Sequence, residues 1–222
     1  MKSIFTLTIL LFTSHCFAQC NYYYLQNNKT VTIGMFDRKG KESGQTVYKV
    51  SNVKKAGSTS SGDVQSEVFD KKGKSIAKGT GTMQCKSGIL MMDMKMLMNP
   101  QQAQQFKDAD VKGKGAYLEY PTSVKVGETL EDASFDMDIN MESGIAANLS
   151  IDITNRKVEA KESITTPAGT WQAFKITYHS KTVLAMGISI PINMEMTEWF
   201  VPDFGVVKTE SKWGKTELLS ID

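Results

Sequence analysis

Along much of the chain apolar and polar residues alternate one for one. Phe135, Met137, Ile139 and Met141 alternate with Asp136, Asp138, Asn140 and Glu142. Leu149, Ile151 and Ile153 alternate with Ser150, Asp152 and Thr154. Ile188, Ile190, Ile192, Met194 and Met196 form a third such row. Period two is the signature of a strand with one buried face. The stretches 29–37, 44–53, 63–69 and 75–84 are rich in β-branched and aromatic residues and predict further strands. Two Asp-led, lysine-rich turns separate them, Asp37-Arg38-Lys39-Gly40-Lys41 and Asp70-Lys71-Lys72-Gly73-Lys74. Asp starts such a turn and Gly takes the positive φ, so both predict hairpins. A basic glycine loop also suits a phosphate, but no P-loop spacing follows.

One helix start stands out. Asn99 caps and Pro100 suits the first helical position, so a short helix is expected over 99–108. Many strands with one helix predict a mainly β protein. Its expected form is a single curved antiparallel sheet, half-barrel-like, with that helix packed on it.

The chain opens MKSIFTLTILLFTSHCFAQC. A cation, an apolar run and the small-residue site Cys16-Phe17-Ala18 read as a secretory signal peptide over 1–18. The mature chain is expected to begin at Gln19 and to form one domain over 19–222, periplasmic or secreted. A lipid anchor on Cys20 is the alternative, though Gln19 is larger than that signal prefers. No later window is long and apolar enough to span a membrane. Of three cysteines, Cys20 and Cys85 remain after cleavage, and an oxidising compartment predicts a disulfide between them. Lys and Arg number 26 against 24 Asp and Glu. That balance leaves no electrostatic footprint for nucleic acid.

The stretch ILMMDMKMLM, residues 89–98, is half methionine. Read as a strand, it puts Met92, Met94, Met96 and Met98 on one face. With Phe135, Met137 and Ile139, and with Ile190, Ile192 and Met194, it predicts a methionine-rich concave wall. Methionine adapts to varied apolar partners, so Met92, Met94 and Met96 with those other six residues, nine in all, are the candidate ligand-binding set. Ordinary core is the competing reading. Copper(I) suits thioethers, but the sulfurs alternate within a strand and one histidine, His179, remains after cleavage. Asp136-Met137-Asp138 opens like a calcium loop, yet Met141 and Ala147 stand where Gly and Glu belong. His179, at the end of a strand over 171–178, has no nucleophile motif to serve. No cofactor and no metal site are expected.

Three stretches, in order, resemble the TapB-like bacterial envelope proteins, a group of domains of unknown function. They are YPTSVKVGETL from Tyr120, TTPAGTWQAFKI from Thr165 and EWFVPDFGVVKTE from Glu198. The resemblance implies an exported protein with a strongly curved antiparallel sheet, similar to half-barrels that carry lipoproteins. It supplies no catalytic residues. The turns inside the motifs also make backbone sense, with Thr166-Pro167-Ala168-Gly169 and Pro202-Asp203-Phe204-Gly205 each joining two strands. The leading expectation is a non-enzymatic envelope protein that binds a lipid, a lipoprotein acyl chain or another envelope protein on the methionine wall. The alternatives are an interaction module with a sealed core and a copper(I)-handling protein.

Overall fold

The computed structural model describes residues 20, 22–97, 111–112, 117–121, 123–140 and 146–222. The signal segment and the helix expected over 99–108 lie outside these residues. The described chain forms thirteen strands: β1 (Thr30–Asp37), β2 (Glu42–Ala56), β3 (Thr59–Asp70), β4 (Ser75–Lys86), β5 (Ile89–Asp93), β6 (Val111–Lys112), β7 (Tyr117–Pro121), β8 (Ala133–Asn140), β9 (Ala146–Thr166), β10 (Gly169–Met186), β11 (Ile188–Val201), β12 (Gly205–Ser211) and β13 (Gly214–Ile221). They make one antiparallel sheet in the order β6-β8-β9-β10-β11-β12-β13-β1-β2-β3-β4-β5-β7. Two 3-10 turns, Tyr23–Leu25 and Met94–Leu97, complete the described elements. No helix among the described residues is long and apolar enough to cross a membrane.

The twin turns behave as their sequences require. Asp37 Oδ1 accepts from the amides of Lys39 and Lys41, at 2.8 and 2.9 Å. Asp70 Oδ1 does the same for Lys72 and Lys74. Gly40 and Gly73 take φ of 74° and 76°, a region that a Cβ disfavours. Pro167-Ala168 turns β9 into β10, and Pro202-Asp203-Phe204 turns β11 into β12.

The sheet curls further than a half-barrel and nearly closes. Segment 120–130, which carries the first motif, makes the closure. It leaves β7 at one end of the sheet order and runs onto β9 near the other. There Gly127 donates to the carbonyl of Val158 at 2.8 Å, and Leu130 to that of Arg156 at 2.9 Å. The chain then enters β8, whose partner is again β9. The core is one buried cluster inside this barrel, running from Tyr22 and Val31 through Met94, Phe135 and Leu149 to Phe200 and Leu218.

Three expectations are corrected. The methionine stretch is not one strand, because β5 ends at Asp93 and Met94–Leu97 is a 3-10 turn. The cause is local. Asp93 Oδ1 accepts from the amide of Lys95 at 2.9 Å, drawing the chain out of the ladder. Such a side-chain bond competes with extended pairing. His179 lies inside β10 instead of ending a strand, since the pairing with β11 continues from Phe174 to Met186. Finally, the alternating stretch over 149–153 is no separate strand but part of one strand of 21 residues, β9. A bulge at Asn155, with φ of 58°, lets it change phase without breaking.

The disulfide forms as expected. Cys20 and Cys85 are bonded, with Cα atoms 5.6 Å apart. It ties the chain before β1 to β4 at the rim opposite the twin basic turns.

Candidate functional site

The ladder register assembles the predicted apolar face on β8 to β11. Antiparallel partners point to the same side of a sheet. Phe135 pairs with Ile151, Ile151 with Thr182, and Thr182 with Ile192. The next row is Met137, Leu149, Leu184 and Ile190. Ala133, Ile153, Ser180 and Met194 form the row before. Thus Phe135, Met137, Ile190, Ile192 and Met194 share one face. Ile139 pairs with Ala147 on the same face, and its side chain lies outside the described residues.

Exposure changes sharply along these rows. Phe135 and Met137 are 2% and 1% exposed, whereas Ile192 and Ile190 are 46% and 60% exposed. Met194 is half-buried between them. Two strands close the core, and the far end of the third and fourth projects from it as an arm. The reason is visible in the pairing of β11. Its residues 196–201 lie beside β12, but 188–195 have no strand on that side among the described residues. Met92, Met94 and Met96 sit elsewhere in the barrel, and Met98 lies outside the described residues. Met94 is fully buried, and Met92 and Met96 pack half-buried on the same core. Met96 lies across Gly81 of β4, where a Cβ would stand 2.5 Å from its Cγ. The nine candidates are therefore not one wall. Phe135 and the methionines, apart from Met194, belong to the core, and Ile190 and Ile192 form an exposed continuation of it.

Sequence reading missed a second cluster, at the closure of the barrel. The bulge at Asn155 shifts the phase of β9 and turns Arg156 inward, where it is fully buried. Its Nη1 donates to the carbonyls of Glu119 on β7 and Glu131 before β8, each at 2.9 Å. One guanidinium thus clamps both flanks of the closing segment. Its Cζ lies 4.9 Å from the ring centre of Tyr120, a cation–π contact. Tyr120 stacks on Phe200 at 4.7 Å and donates its hydroxyl to Glu198 Oε2 at 3.1 Å. Tyr178 also bears on that carboxylate.

Glu198 is 2% exposed. Burial pushes its carboxyl up to about 7, although Arg156 and the two tyrosine hydroxyls pull the other way. Burial is the largest cause because the charged form loses more hydration than these partners restore. Burial, followed by the Glu198 charge, also raises the Tyr120 and Tyr178 hydroxyls well above the usual phenol range. Nε and Nη2 of Arg156 and Oε1 of Glu198 are buried without a hydrogen-bond partner. A perturbed carboxylate in a cleft is a candidate acid or base. This one is inside packed core, and its geometry is that of a brace across the closure.

The three motifs now have physical meanings. The first and third meet at Tyr120, Glu198 and Phe200. The second and third meet where Trp171 packs on Phe204, with ring centres 5.1 Å apart. Signals for this cluster were present in the sequence, in the Asn155-Arg156 pair and in a Glu set before Trp-Phe within an apolar strand. Neither has a fixed spacing to its partners, so periodicity could not join them. Among the described residues no group of three His, Cys, Asp or Glu could hold a metal ion. His179 is half-exposed, with Nδ1 2.8 Å from Oε1 of Glu195.

A near-closed antiparallel sheet with a braced seam and one projecting arm is the class that this geometry defines. The family match agrees, covering residues 26–222, and the chain belongs to the DUF3108-like family. Two solved structures share the fold. One is a Bacteroides fragilis protein described as a candidate exported protein with a YmcC-like fold. It is 20% identical, with a TM-score of 0.71, and the match covers 89% of this chain and 96% of that one. The other is a candidate lipoprotein of Parabacteroides distasonis, 20% identical, with a TM-score of 0.70 and the same coverage. Among curated proteins none matches this chain.

Proposed function

We propose that this is an exported, non-enzymatic envelope protein that holds an apolar ligand against the inner face of its arm. The ligand class is the acyl chain of a lipid or of a lipidated protein. The observation that carries the reading is the exposure step along a single ladder row, from Met137 at 1% to Ile190 at 60%. Exposed isoleucines continuous with a core are unusual on a soluble surface and mark a contact site. The signal-like opening, the disulfide and the descriptions of the two structural neighbours support export. The ordered motifs support placing the chain with the TapB-like proteins inside its family.

The sealed-core alternative has its own observation, the complete burial of Met94 and Met137. It removes those methionines from ligand contact and leaves the arm as the contact surface. A dansyl-labelled fatty acid tests the proposal directly. The protein should bind it, and Ile190→Asp or Ile192→Asp should weaken binding about tenfold or more, since burying such a side chain contributes roughly 1.5–3 kcal/mol. Circular dichroism should stay unchanged. Absence of binding, or equal binding by both variants, would sink the reading.

A further inference from the structure

The arm does not project alone. β12 ends beside Met196, so the turn at Lys212-Trp213 lies at the foot of the arm. Gly214 pairs with Asp37, which sets the first basic turn next to it. Gly44 pairs with Asp70, which sets the second basic turn beside the first. Shared surface depressions show the same neighbours. Asp37 and Arg38 line one with Lys212 and Lys215, and Asp37 and Lys41 line another with Asp70 and Lys71. One rim of the barrel therefore carries the arm and three turns.

The chemistry of that rim is mainly cationic, with Glu42 and Glu210 among the residues that line the same depressions and Glu210 paired with Lys208. The first turn supplies Arg38, Lys39 and Lys41, and the second Lys71, Lys72 and Lys74. The acids that open these turns, Asp37 and Asp70, are committed to backbone amides. Trp213 is 57% exposed. The arm beyond Lys181 and Glu195 carries no charged side chain on either strand. Its inner face shows Ile188, Ile190 and Ile192, and its outer face carries Val183, Ala185 and Pro191 together with the uncharged polar Ser189 and Asn193. An arm that merely extended the core would be free to carry charge on its solvent-facing outer face. That is the case on β8 and β9, where Asp136, Asp138, Asn148 and Ser150 stand. Those acids are three strand spacings from β11, about 14 Å. Pro191 removes a donor from the free edge and blunts it against an added strand. What remains is apolar on its inner face and uncharged on its outer one, with an exposed tryptophan and two basic turns at its foot.

We propose that this rim docks on an anionic lipid surface. The arm tip enters the acyl boundary from its β11 side, Trp213 lies in the interface and the basic turns face the headgroup phosphates. Tryptophan prefers that depth, and lysines near an anionic surface add attraction that salt screens. The proposal deepens the ligand reading by naming where an acyl chain would be met, but the basic turns and Trp213 play no part in holding the ligand.

Flotation of the secreted protein with vesicles tests it, using phosphatidylcholine with and without phosphatidylglycerol. The protein should float with the anionic vesicles and much less with the neutral ones. Added salt should weaken the association. Trp213 emission should move to the blue, and Trp213→Phe should abolish that shift. Lys71→Glu with Lys72→Glu should lower vesicle binding at least about tenfold, from the attraction each lysine contributes, while binding of the dansyl fatty acid is unchanged. Failure to float with anionic vesicles, indifference to phosphatidylglycerol or an unmoved Trp213 emission would overturn the docking proposal. None of these results would touch the fatty-acid result.

Discussion

The two ends of the β8–β11 face obey opposite rules. At the closure, a full arginine and a glutamate are sealed inside packed apolar walls. On the arm, isoleucines stand in solvent. Both sites lie on the same side of the same sheet, and the bulge at Asn155 shifts the register between them. The closure shows that buried charge persists where carbonyls and phenols converge on it. The arm shows that apolar alternation continues beyond the point where anything covers it. The first is a cost met by geometry that joins two ends of a sheet. The second has no structural return among the described residues, and for that reason it is where function is placed.

This contrast predicts a graded set of responses. Arg156→Ala should be the most damaging change, at roughly 3–5 kcal/mol, because it strands Glu198 and two carbonyls in the core. Urea unfolding measures it, and a loss below about 1 kcal/mol would mean that Arg156 does not brace the closure. Removing the disulfide by Cys20→Ser with Cys85→Ser should cost about 2–4 kcal/mol. Thermal melts of oxidised protein and of the double variant compare it, with equal midpoints as the contrary result.

Next is the pH response of Glu198. Its folded pKa of about 7 lies above the usual 4.5. The folded state therefore binds the proton more tightly than the unfolded state. Stability from this group is complete below 4.5 and is lost as pH rises through 7. The full difference is on the order of 3 kcal/mol. Glu198→Gln should flatten that part of the profile, and a wild-type profile already flat there would contradict the burial argument. The smallest stability effect should come from the arm. Ile190→Asp should change unfolding free energy by about 0.5 kcal/mol or less, because the site is already in water. A large loss would show that the arm is covered and belongs to the core.

The sequence showed the strands, the twin hairpins, both proline turns and the disulfide, because each is set by neighbours or by a pair of residues. It also showed Phe135, Met137, Ile190, Ile192 and Met194 as members of one face. It could not show where burial along that face ends, since Ile190 and Leu149 look alike until the sheet order is known. The error over Met94 and Met96 came from reading periodicity through Asp93, whose carboxylate redirects the backbone. The closure was illegible for a different reason. Arg156 turns inward only because Asn155 bulges, and its partners come from strands far apart in sequence.

Native mass spectrometry of protein purified from its own envelope, followed by lipid extraction, tests the central claim most directly. Wild type should carry an acyl-chain ligand, and Ile190→Asp with Ile192→Asp should carry none while keeping the same circular dichroism spectrum. A wild type that emerges free of any apolar ligand, or a folded double variant that retains it, would contradict the account.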